Sequence, residues 1–336
     1  MTEDAWKIEA MKASMKNKAK LVSLLHPHLL EDYSAKNALR DTEHYHPSEI
    51  CKRDWCVRQS GYRMMNYEET NPERPKAFKT LNIFEEGNRI HRKWQGWLQE
   101  VGMLMGQWYC RECTHVWYGK PLCEECHSKQ VDYHEVPIYD EDHHIVGHSD
   151  GHVKLNEEDH LIEIKSVGIG TFRYENFPLF NRYSTKDITA DQMWNEVNRP
   201  FLSHLKQGNL YMHCTGIKKM IYIYEWKASQ DIKEFMVSYQ PEVISDILSS
   251  CKSGLRSIGE GRIPPRPIWI DTKDHQACKY CTYKKVCWSS DDVKSPSEVQ
   301  PEVRQSEEAG GRDADPAGGS GPVSYTHLTL PTILLV

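Results

Sequence analysis

Long apolar runs are missing from this 336-residue sequence. No stretch approaches the roughly 18 apolar residues that a membrane-spanning helix needs. The N-terminal stretch MTEDAWKIEAMKASMK is charged and amphipathic, and it lacks the apolar block of a signal peptide. A hydrophobic fraction of 39% and ten Trp residues fit a globular protein with a real core. We therefore expect an intracellular, cytoplasmic protein with no membrane partner.

A basic excess is also missing, since the formal net charge is -6. Residues 291–315 hold eight acidic and three basic residues, so the rest of the chain is close to neutral. Local basic clusters could still line a groove for nucleic acid. These clusters are Lys52-Arg53, Arg58 and Arg63, and Arg89, Arg92 and Lys93. Charge alone neither indicates nor excludes a DNA partner.

The stretch from Gly147 to Val167 has the pattern of a β-hairpin with charged residues on one face. Asp150 ends one apparent strand, a polar turn covers residues 156–159, and Glu163 and Lys165 follow on the next strand. Side chains alternate between the two faces of a strand, so Glu163 and Lys165 share a face. Two carboxylates are suitable ligands for Mg²⁺ or Mn²⁺, and a Lys could activate water or steady a phosphate. A solvated hairpin face explains these residues equally well.

The flanking patterns predict helices and strands around this hairpin. Helices are predicted over residues 1–40, 46–67, 80–102, 201–216 and 241–258, and strands over 131–139, 219–226 and 234–239. This order predicts an α/β sandwich around a mixed sheet. His91 lies in the third helix, where a structural role is the commoner one for a lone His. Glu135 offers an extra carboxylate, and the aromatic and basic segment 168–200 fits a base-stacking platform, a packed lid or a core flap.

The eleven Cys residues indicate metal binding, because the chain has no secretion signal. Two C-x2-C pairs separated by nine residues predict a closed, structural Zn²⁺ site. Its ligands would be Cys110, Cys113, Cys123 and Cys126. A C-x2-C-x5-C group near the end needs a fourth ligand from elsewhere, as in a [4Fe-4S] cluster or a split zinc site. That group is Cys278, Cys281 and Cys287, with Cys51 or Cys56 as the distant ligand.

Taken together, these motifs resemble the PD-(D/E)xK nuclease superfamily, in particular the RecB-type exonucleases with an iron-sulfur cluster found in phages, in CRISPR spacer acquisition and in helicase-nucleases. The match covers Ser48 to Trp288. Its pieces, in the family's order, are Cys56-Val57-Arg58, His91, Asp150 with Glu163-Ile164-Lys165, Gln207 with Tyr211, and Cys278, Cys281 and Cys287. The resemblance implies a restriction-endonuclease-like core, with a central mixed sheet flanked by helices, a zinc-knuckle insertion and a C-terminal Cys segment.

The resemblance also implies a role for each matched residue. The cation ligands would be His91, Asp150, Glu163 and the backbone carbonyl of Ile164. Lys165 would position or activate the attacking water. Gln207 and Tyr211 would hold the DNA strand or the active-site Lys. Cys56 is preferred over Cys51 as the first cluster ligand, because Arg58 and Tyr62 follow it in the family's manner.

The expected activity is metal-dependent hydrolysis of DNA phosphodiester bonds by an exonuclease on single strands or ends, in phage recombination, repair or replication. A recombination or helicase protein is a candidate partner, and a phage-encoded chain would act in the host cytoplasm. The alternative is a non-catalytic nucleic-acid-binding or recombination-accessory protein. A purely redox protein is disfavoured, because it would not need the carboxylates and the Lys.

Three parts are expected along the chain: a helical segment at 1–45, a nuclease domain at 46–289 and a tail at 290–336. The nuclease domain would contain the zinc insertion at 108–128 and the iron-sulfur segment at 275–289. The tail is rich in Ser, Pro, Glu and Gly and is expected to be disordered. Its last residues, VSYTHLTLPTILLV, resemble translated sequencing adapter and are excluded from fold reasoning.

Overall fold

The computed structural model describes residues 20–71 and 75–289. The helices are α1 Leu21–Ala38, α2 Pro47–Ile50, α3 Val57–Met64, α4 Phe78–Glu100, α5 Ile169–Glu175, α6 Phe177–Ser184, α7 Ala190–Asn195, α8 Leu202–Thr215, α9 Ser245–Gly259 and α10 Lys284–Cys287. The strands are β1 Gly106–Cys110, β2 Val116–Gly119, β3 Val131–Tyr133, β4 Val136–Asp140, β5 Ile145–Ser149, β6 Gly151–Leu155, β7 Glu158–Val167, β8 Lys219–Trp226 and β9 Ile232–Ser238. None of the helices in these ranges is both long enough and apolar enough to cross a bilayer.

The expected mixed sheet is confirmed. It has four strands in the order β6-β7-β8-β9, in which β7 and β8 run parallel and the outer pairs run antiparallel. Strand β7 is buried from His160 to Val167, as expected for a strand covered on both faces. Two smaller antiparallel sheets, β2-β1-β3 and β4-β5, extend the fold.

The two faces of β7 meet different helices. Ile162 and Ile164 pack with Ile90 of α4 in one apolar cluster. The opposite face, which carries Glu163 and Lys165, lies under α8. Gly208 allows this close approach, because a Cβ there would lie 2.0 Å from the Tyr222 hydroxyl oxygen. The predicted alternation therefore places the charged pair between the sheet and α8.

Three predicted elements are interrupted in the structure. The predicted helix 46–67 is wrong as one element, because it divides into α2 and α3 on either side of residues 51–56. The predicted strand 131–139 breaks between β3 and β4, where Glu135 has a φ of 62°. The apparent first strand of the hairpin divides at Asp150, because β5 pairs with β4 whereas β6 pairs with β7.

The aromatic segment 168–200 forms three short helices, α5 to α7, against the sheet. Phe172 is fully buried in the largest apolar cluster, and Phe180 and Tyr183 pack against that cluster. Tyr174 and Phe177 are exposed. The interpretation as a packed lid or core flap therefore holds for Phe172, Phe180 and Tyr183. The helix predicted over residues 1–19 and the predicted disordered tail lie outside the described residues.

Candidate active site and metal centres

Asp150 lies at the junction between two sheets, directly after β5 and before β6. Its side chain is buried, and its Oδ2 accepts a hydrogen bond from the backbone N–H of Ile164 at 2.6 Å. Its backbone carbonyl accepts hydrogen bonds from Gln95 at 3.0 Å and from the Tyr133 hydroxyl at 3.2 Å. These hydrogen bonds fix both the main chain and the carboxylate of Asp150, at the point where the chain changes its strand partner.

A compact group of ligand atoms surrounds this carboxylate. Asp150 Oδ1 lies 3.1 Å from His91 Nδ1, and one ligand atom each from His91, Glu135 and Asp150 lie within 4.8 Å of one another. Gln95, one helical turn after His91, donates a hydrogen bond to Glu135 at 3.1 Å. An imidazole and two carboxylates are a suitable donor set for Mg²⁺ or Mn²⁺. The left-handed conformation of Glu135 is a strained arrangement of the kind found at functional sites.

A second, adjacent group consists of a buried chain of polar side chains. Glu163 forms an ion pair with Lys165, and both are almost fully buried. Lys165 Nζ donates to Gln207 Oε1 at 3.2 Å, and Gln207 Nε2 donates to the Tyr211 hydroxyl at 2.6 Å. The structure therefore brings the four residues together across β7 and α8. Glu163 faces Lys165 here and lies outside the compact His91 group.

Burial and charge shift the pKa values of these acids in opposite directions. Burial raises the pKa of Glu163 to about 7 although Lys165 opposes the shift, and burial with the charge of Asp150 raises the pKa of Glu135 to about 7. Burial also disfavours the charged form of Asp150, but the charge and hydrogen bond of His91, the charge of Lys165 and the N–H of Ile164 together lower the pKa of that carboxyl. Conversely, Asp150 raises the pKa of His91 against the effect of burial. Several buried acids held this close together need a compensating positive charge.

The first Cys group is assembled as the spacing predicts. Cys110 Sγ lies 3.5 Å from Cys126 Sγ, and Cys113 Sγ lies 3.5 Å from Cys123 Sγ; all four Sγ atoms lie within 4.8 Å of one another. Thiolates bound to one tetrahedral Zn²⁺ at about 2.3 Å would lie roughly 3.8 Å apart. The four thiols fit a zinc ion with only small adjustments.

Both C-x2-C pairs close in the same way. The N–H of Thr114 donates to the Cys110 carbonyl and the N–H of His127 donates to the Cys123 carbonyl, each at 3.0 Å. Thr114 and His127 both adopt the left-handed conformation, with φ values of 62° and 57°. The repeated turn points each pair of thiols toward the same centre, which explains the convergence of four side chains from one short segment.

The second Cys group lines a pocket that joins distant parts of the chain. Cys56, Cys278, Cys281 and Cys287 all line this pocket. Burial raises the pKa of the Cys56 thiol, while the backbone N–H groups of Arg58 and Gln59 oppose this shift. Arg266 donates to Cys287 Sγ at 3.4 Å. Hydrogen bonds of this kind stabilise thiolates around an iron-sulfur cluster.

The structure also separates the two candidates for the fourth ligand. Cys56 packs with Cys278 and Ile270, whereas Cys51 is buried in a different apolar cluster with Cys251. Within residues 20–71 and 75–289, the thiols of the second Cys group do not all lie within 4.8 Å of one another, as those of the first Cys group do.

Two polar residues at the site have no counterpart among the sequence-based candidates. Gln95 and Tyr133 hold the main chain of Asp150. Gln95 is four residues after His91 on one helical face, so helical periodicity could have indicated it. Tyr133 carried no such signal, since its role depends on how β3 packs beside Asp150.

No family model and no curated protein matches this chain. Among solved structures, it is similar to SSO0001 at 13% identity and a TM-score of 0.38, over 84% of this chain and 98% of that one. It is similar to the alkaline exonuclease LHK-Exo from Laribacter hongkongensis at 13% identity and a TM-score of 0.36, over 65% and 89%. It is also similar to the structure of LHK-Exo in complex with dAMP, at 11% identity and a TM-score of 0.34, over 65% of this chain and 89% of that one. At TM-scores this low, the likeness supports no functional conclusion.

Proposed function

We propose that the protein is a metal-dependent nuclease that hydrolyses DNA phosphodiester bonds. The observation that carries this proposal is the position of His91, Glu135 and Asp150 beside a buried Glu163–Lys165 pair. A solvated hairpin face would not bury these charges. The sequence resemblance supports the same activity independently of this geometry.

In the proposed site, His91, Asp150 and Glu163 hold Mg²⁺ or Mn²⁺, with the carbonyl of Ile164 as a further ligand and Glu135 beside them. The cation would polarise the phosphate and lower the pKa of bound water. Gln207 keeps the Lys165 ammonium at a fixed place, where it can orient the attacking water or stabilise charge on the phosphate. Tyr211 in turn fixes Gln207.

The finer assignments are part of the same proposal. The substrate is single-stranded DNA or DNA ends, and the reaction is exonucleolytic. A [4Fe-4S] cluster on Cys56, Cys278, Cys281 and Cys287 joins the two ends of the nuclease domain. A Zn²⁺ ion on Cys110, Cys113, Cys123 and Cys126 stiffens the insertion. A recombination or helicase protein is the proposed partner class.

The test uses purified protein with end-labelled single-stranded and double-stranded DNA, in Mg²⁺, Mn²⁺ or EDTA. We expect cleavage that requires the cation and starts at ends, and a loss of at least about 10³-fold in Asp150→Asn, because the cation loses a charged ligand. Asp159→Asn is the matched control, since Asp159 is a half-exposed residue of the same hairpin. Undiminished cleavage by Asp150→Asn would overturn the assignment. Tight DNA binding without cleavage in any cation would favour the non-catalytic accessory role.

A further inference from the structure

A third group of potential ligands involves no residue of the sites described above. Asp140 ends β4, His143 lies in the turn between β4 and β5, and His213 lies in the last turn of α8. One ligand atom from each lies within 4.8 Å of the other two. The group therefore joins the β4–β5 hairpin to α8.

The Asp140–His213 separation is close to that between two ligands of a tetrahedral metal ion, whereas the Asp140–His143 separation is that of a hydrogen bond, so a bound ion requires these two side chains to move slightly apart. Asp140 Oδ2 lies 2.7 Å from His143 Nδ1 and 3.4 Å from His213 Nε2. Ligands bonded at about 2.0 Å to tetrahedral Zn²⁺ are roughly 3.3 Å apart. The other oxygen, Oδ1, accepts the N–H of His143 at 3.2 Å and so holds the turn. One oxygen of Asp140 thus shapes the turn while the other faces both imidazoles.

Tyr239 orients the imidazole of His213. The Tyr239 hydroxyl lies 3.0 Å from His213 Nδ1, and Lys218 Nζ lies 4.4 Å from the centre of the Tyr239 ring. When Nδ1–H donates to this hydroxyl, the lone pair of Nε2 faces Asp140. Histidine ligands of metal ions are commonly held by a hydrogen bond of this type at the other ring nitrogen.

The group is accessible on one side and lies in acidic surroundings. The side chains of Asp140 and His143 are largely buried, whereas the side chain of His213 is 32% exposed. Glu141 and Asp142 in the same turn are exposed. Their charges favour a cation at this surface, and the exposed edge leaves room for water to complete its coordination.

We propose that Asp140, His143 and His213 form a binding site for a divalent transition-metal ion such as Zn²⁺. Two imidazoles and one carboxylate make a donor set that such ions prefer over Mg²⁺. The ion fastens the β4–β5 hairpin to the C-terminal end of α8, the helix that also carries Gln207 and Tyr211. The site is independent of the nuclease assignment, because it shares no ligand with the candidate active site.

The same side chains can also satisfy one another without an ion. Asp140 would then accept hydrogen bonds from both imidazoles, and Tyr239 would donate to His213 Nδ1. The two arrangements differ in a measurable way. Only the metal site requires a free lone pair on His213 Nε2, and only the metal site adds one ion per chain.

The experiment measures bound zinc per chain in the full-length protein after dialysis against buffered Zn²⁺. The first Cys group binds its zinc in every variant, so we expect His213→Gln, His143→Gln and Asp140→Asn each to hold one equivalent less than the wild type. His144→Asn, next to His143 in the same turn, should keep the wild-type value. Circular dichroism identifies which variants are folded.

A variant in the orienting residue provides the second arm. Tyr239→Phe should keep the zinc equivalent but bind it about 10- to 100-fold more weakly, because the His213 ring loses its hydrogen bond. Equal zinc content and affinity in the wild type and in the folded ligand variants would overturn the proposal and leave a hydrogen-bonded cluster only. Since any one of the three ligand variants suffices, misfolding of one of them does not prevent the test.

Discussion

Lys165 has an unusual environment for a Lys. A Lys is almost never fully buried unless its ammonium is paired. Lys165 is 1% exposed and has both Glu163 and Gln207 as partners. An arrangement that confines an ammonium beside two acids and a His is costly for stability alone. Its position is more readily explained by chemistry at the proposed site.

We therefore predict that Lys165→Met lowers the turnover number of DNA cleavage by about 10²- to 10⁴-fold, the range for loss of a proton-transfer or charge-stabilising group. Met keeps the apolar stem and most of the volume. Lys154→Met on the same hairpin should retain full activity, because Lys154 is half exposed. Single-turnover cleavage of labelled DNA gives both rates. Equal rates for the two variants would remove Lys165 from the mechanism.

His204 gives a prediction about stability and pH. Its Nδ1 lies 2.5 Å from the Tyr224 hydroxyl oxygen, which accepts a hydrogen bond from the backbone N–H of Phe201. The hydroxyl proton of Tyr224 can therefore be donated to His204 Nδ1. Burial and then the charge of Lys165 hold the pKa of His204 well below 6.5. The unfolded chain therefore binds more protons at low pH, and stability is lost as the pH falls below about 6.5.

The expected contribution of His204 is up to about 1.4 kcal/mol of unfolding free energy per pH unit below that point. His204→Gln should show a shallower loss of stability between pH 7.5 and 5.5, since Gln does not titrate. Urea denaturation followed by Trp fluorescence at several pH values measures the two slopes. The other histidines are common to both proteins and cancel in the comparison. Parallel slopes would contradict the prediction.

At the scale of secondary-structure elements, the sequence correctly predicted the helices that depend on local patterns. The helix carrying His91 and the helix ending at Gly216 are confirmed because their apolar spacing and C-terminal Gly are local signals. The breaks at Asp150 and Glu135 were not predictable, because they arise where a strand changes its partner. Sequence placed Asp150 and Glu163 on one hairpin, but it could not predict that Glu135 joins His91 and Asp150 while Glu163 pairs with Lys165.

The two turns that close the C-x2-C pairs of the first Cys group offer a prediction at this scale. Thr114 is β-branched and has a φ of 62°, whereas His127 occupies the matching place in the other turn with a φ of 57°. The left-handed conformation costs a β-branched residue more than it costs His. Thr114→Gly should stabilise its turn by about 1 kcal/mol. His127→Gly should gain less.

The rate of zinc transfer to a chromogenic chelator reports this difference, because each turn must open to release the ion. We expect slower release from Thr114→Gly than from the wild type, and a smaller effect for His127→Gly. Faster release from Thr114→Gly would mean that its side chain, which donates to the Cys113 carbonyl, supports the turn more than its backbone strains it.

At the scale of the whole molecule, the C-terminal segment is fastened to α3. Tyr62 stacks on Tyr283 with ring centres 5.4 Å apart, and Arg58 donates to the Pro264 carbonyl at 3.0 Å. A Cβ at Gly61 would lie 2.4 Å from a carbon of Pro264, so Gly is required for this approach. Sequence could predict a missing fourth thiol but could not derive from spacing which Cys supplies it. That pairing depends on packing between residues far apart in the chain.

The proposed cluster makes this fastening testable through two Cys variants. Cys56→Ala should lose iron and visible absorption and should melt at a lower temperature, because a cluster bound by Cys56 and three C-terminal thiols restricts the unfolded chain as a cross-link does. Cys51→Ala should keep about four irons per chain, since Cys51 lies in a separate apolar cluster and not in the pocket. Iron analysis, absorption spectra and thermal melts of the two variants make the comparison. Iron retained by Cys56→Ala but lost by Cys51→Ala would reverse the assignment. A colourless wild-type protein containing zinc alone would replace the cluster with a split zinc site.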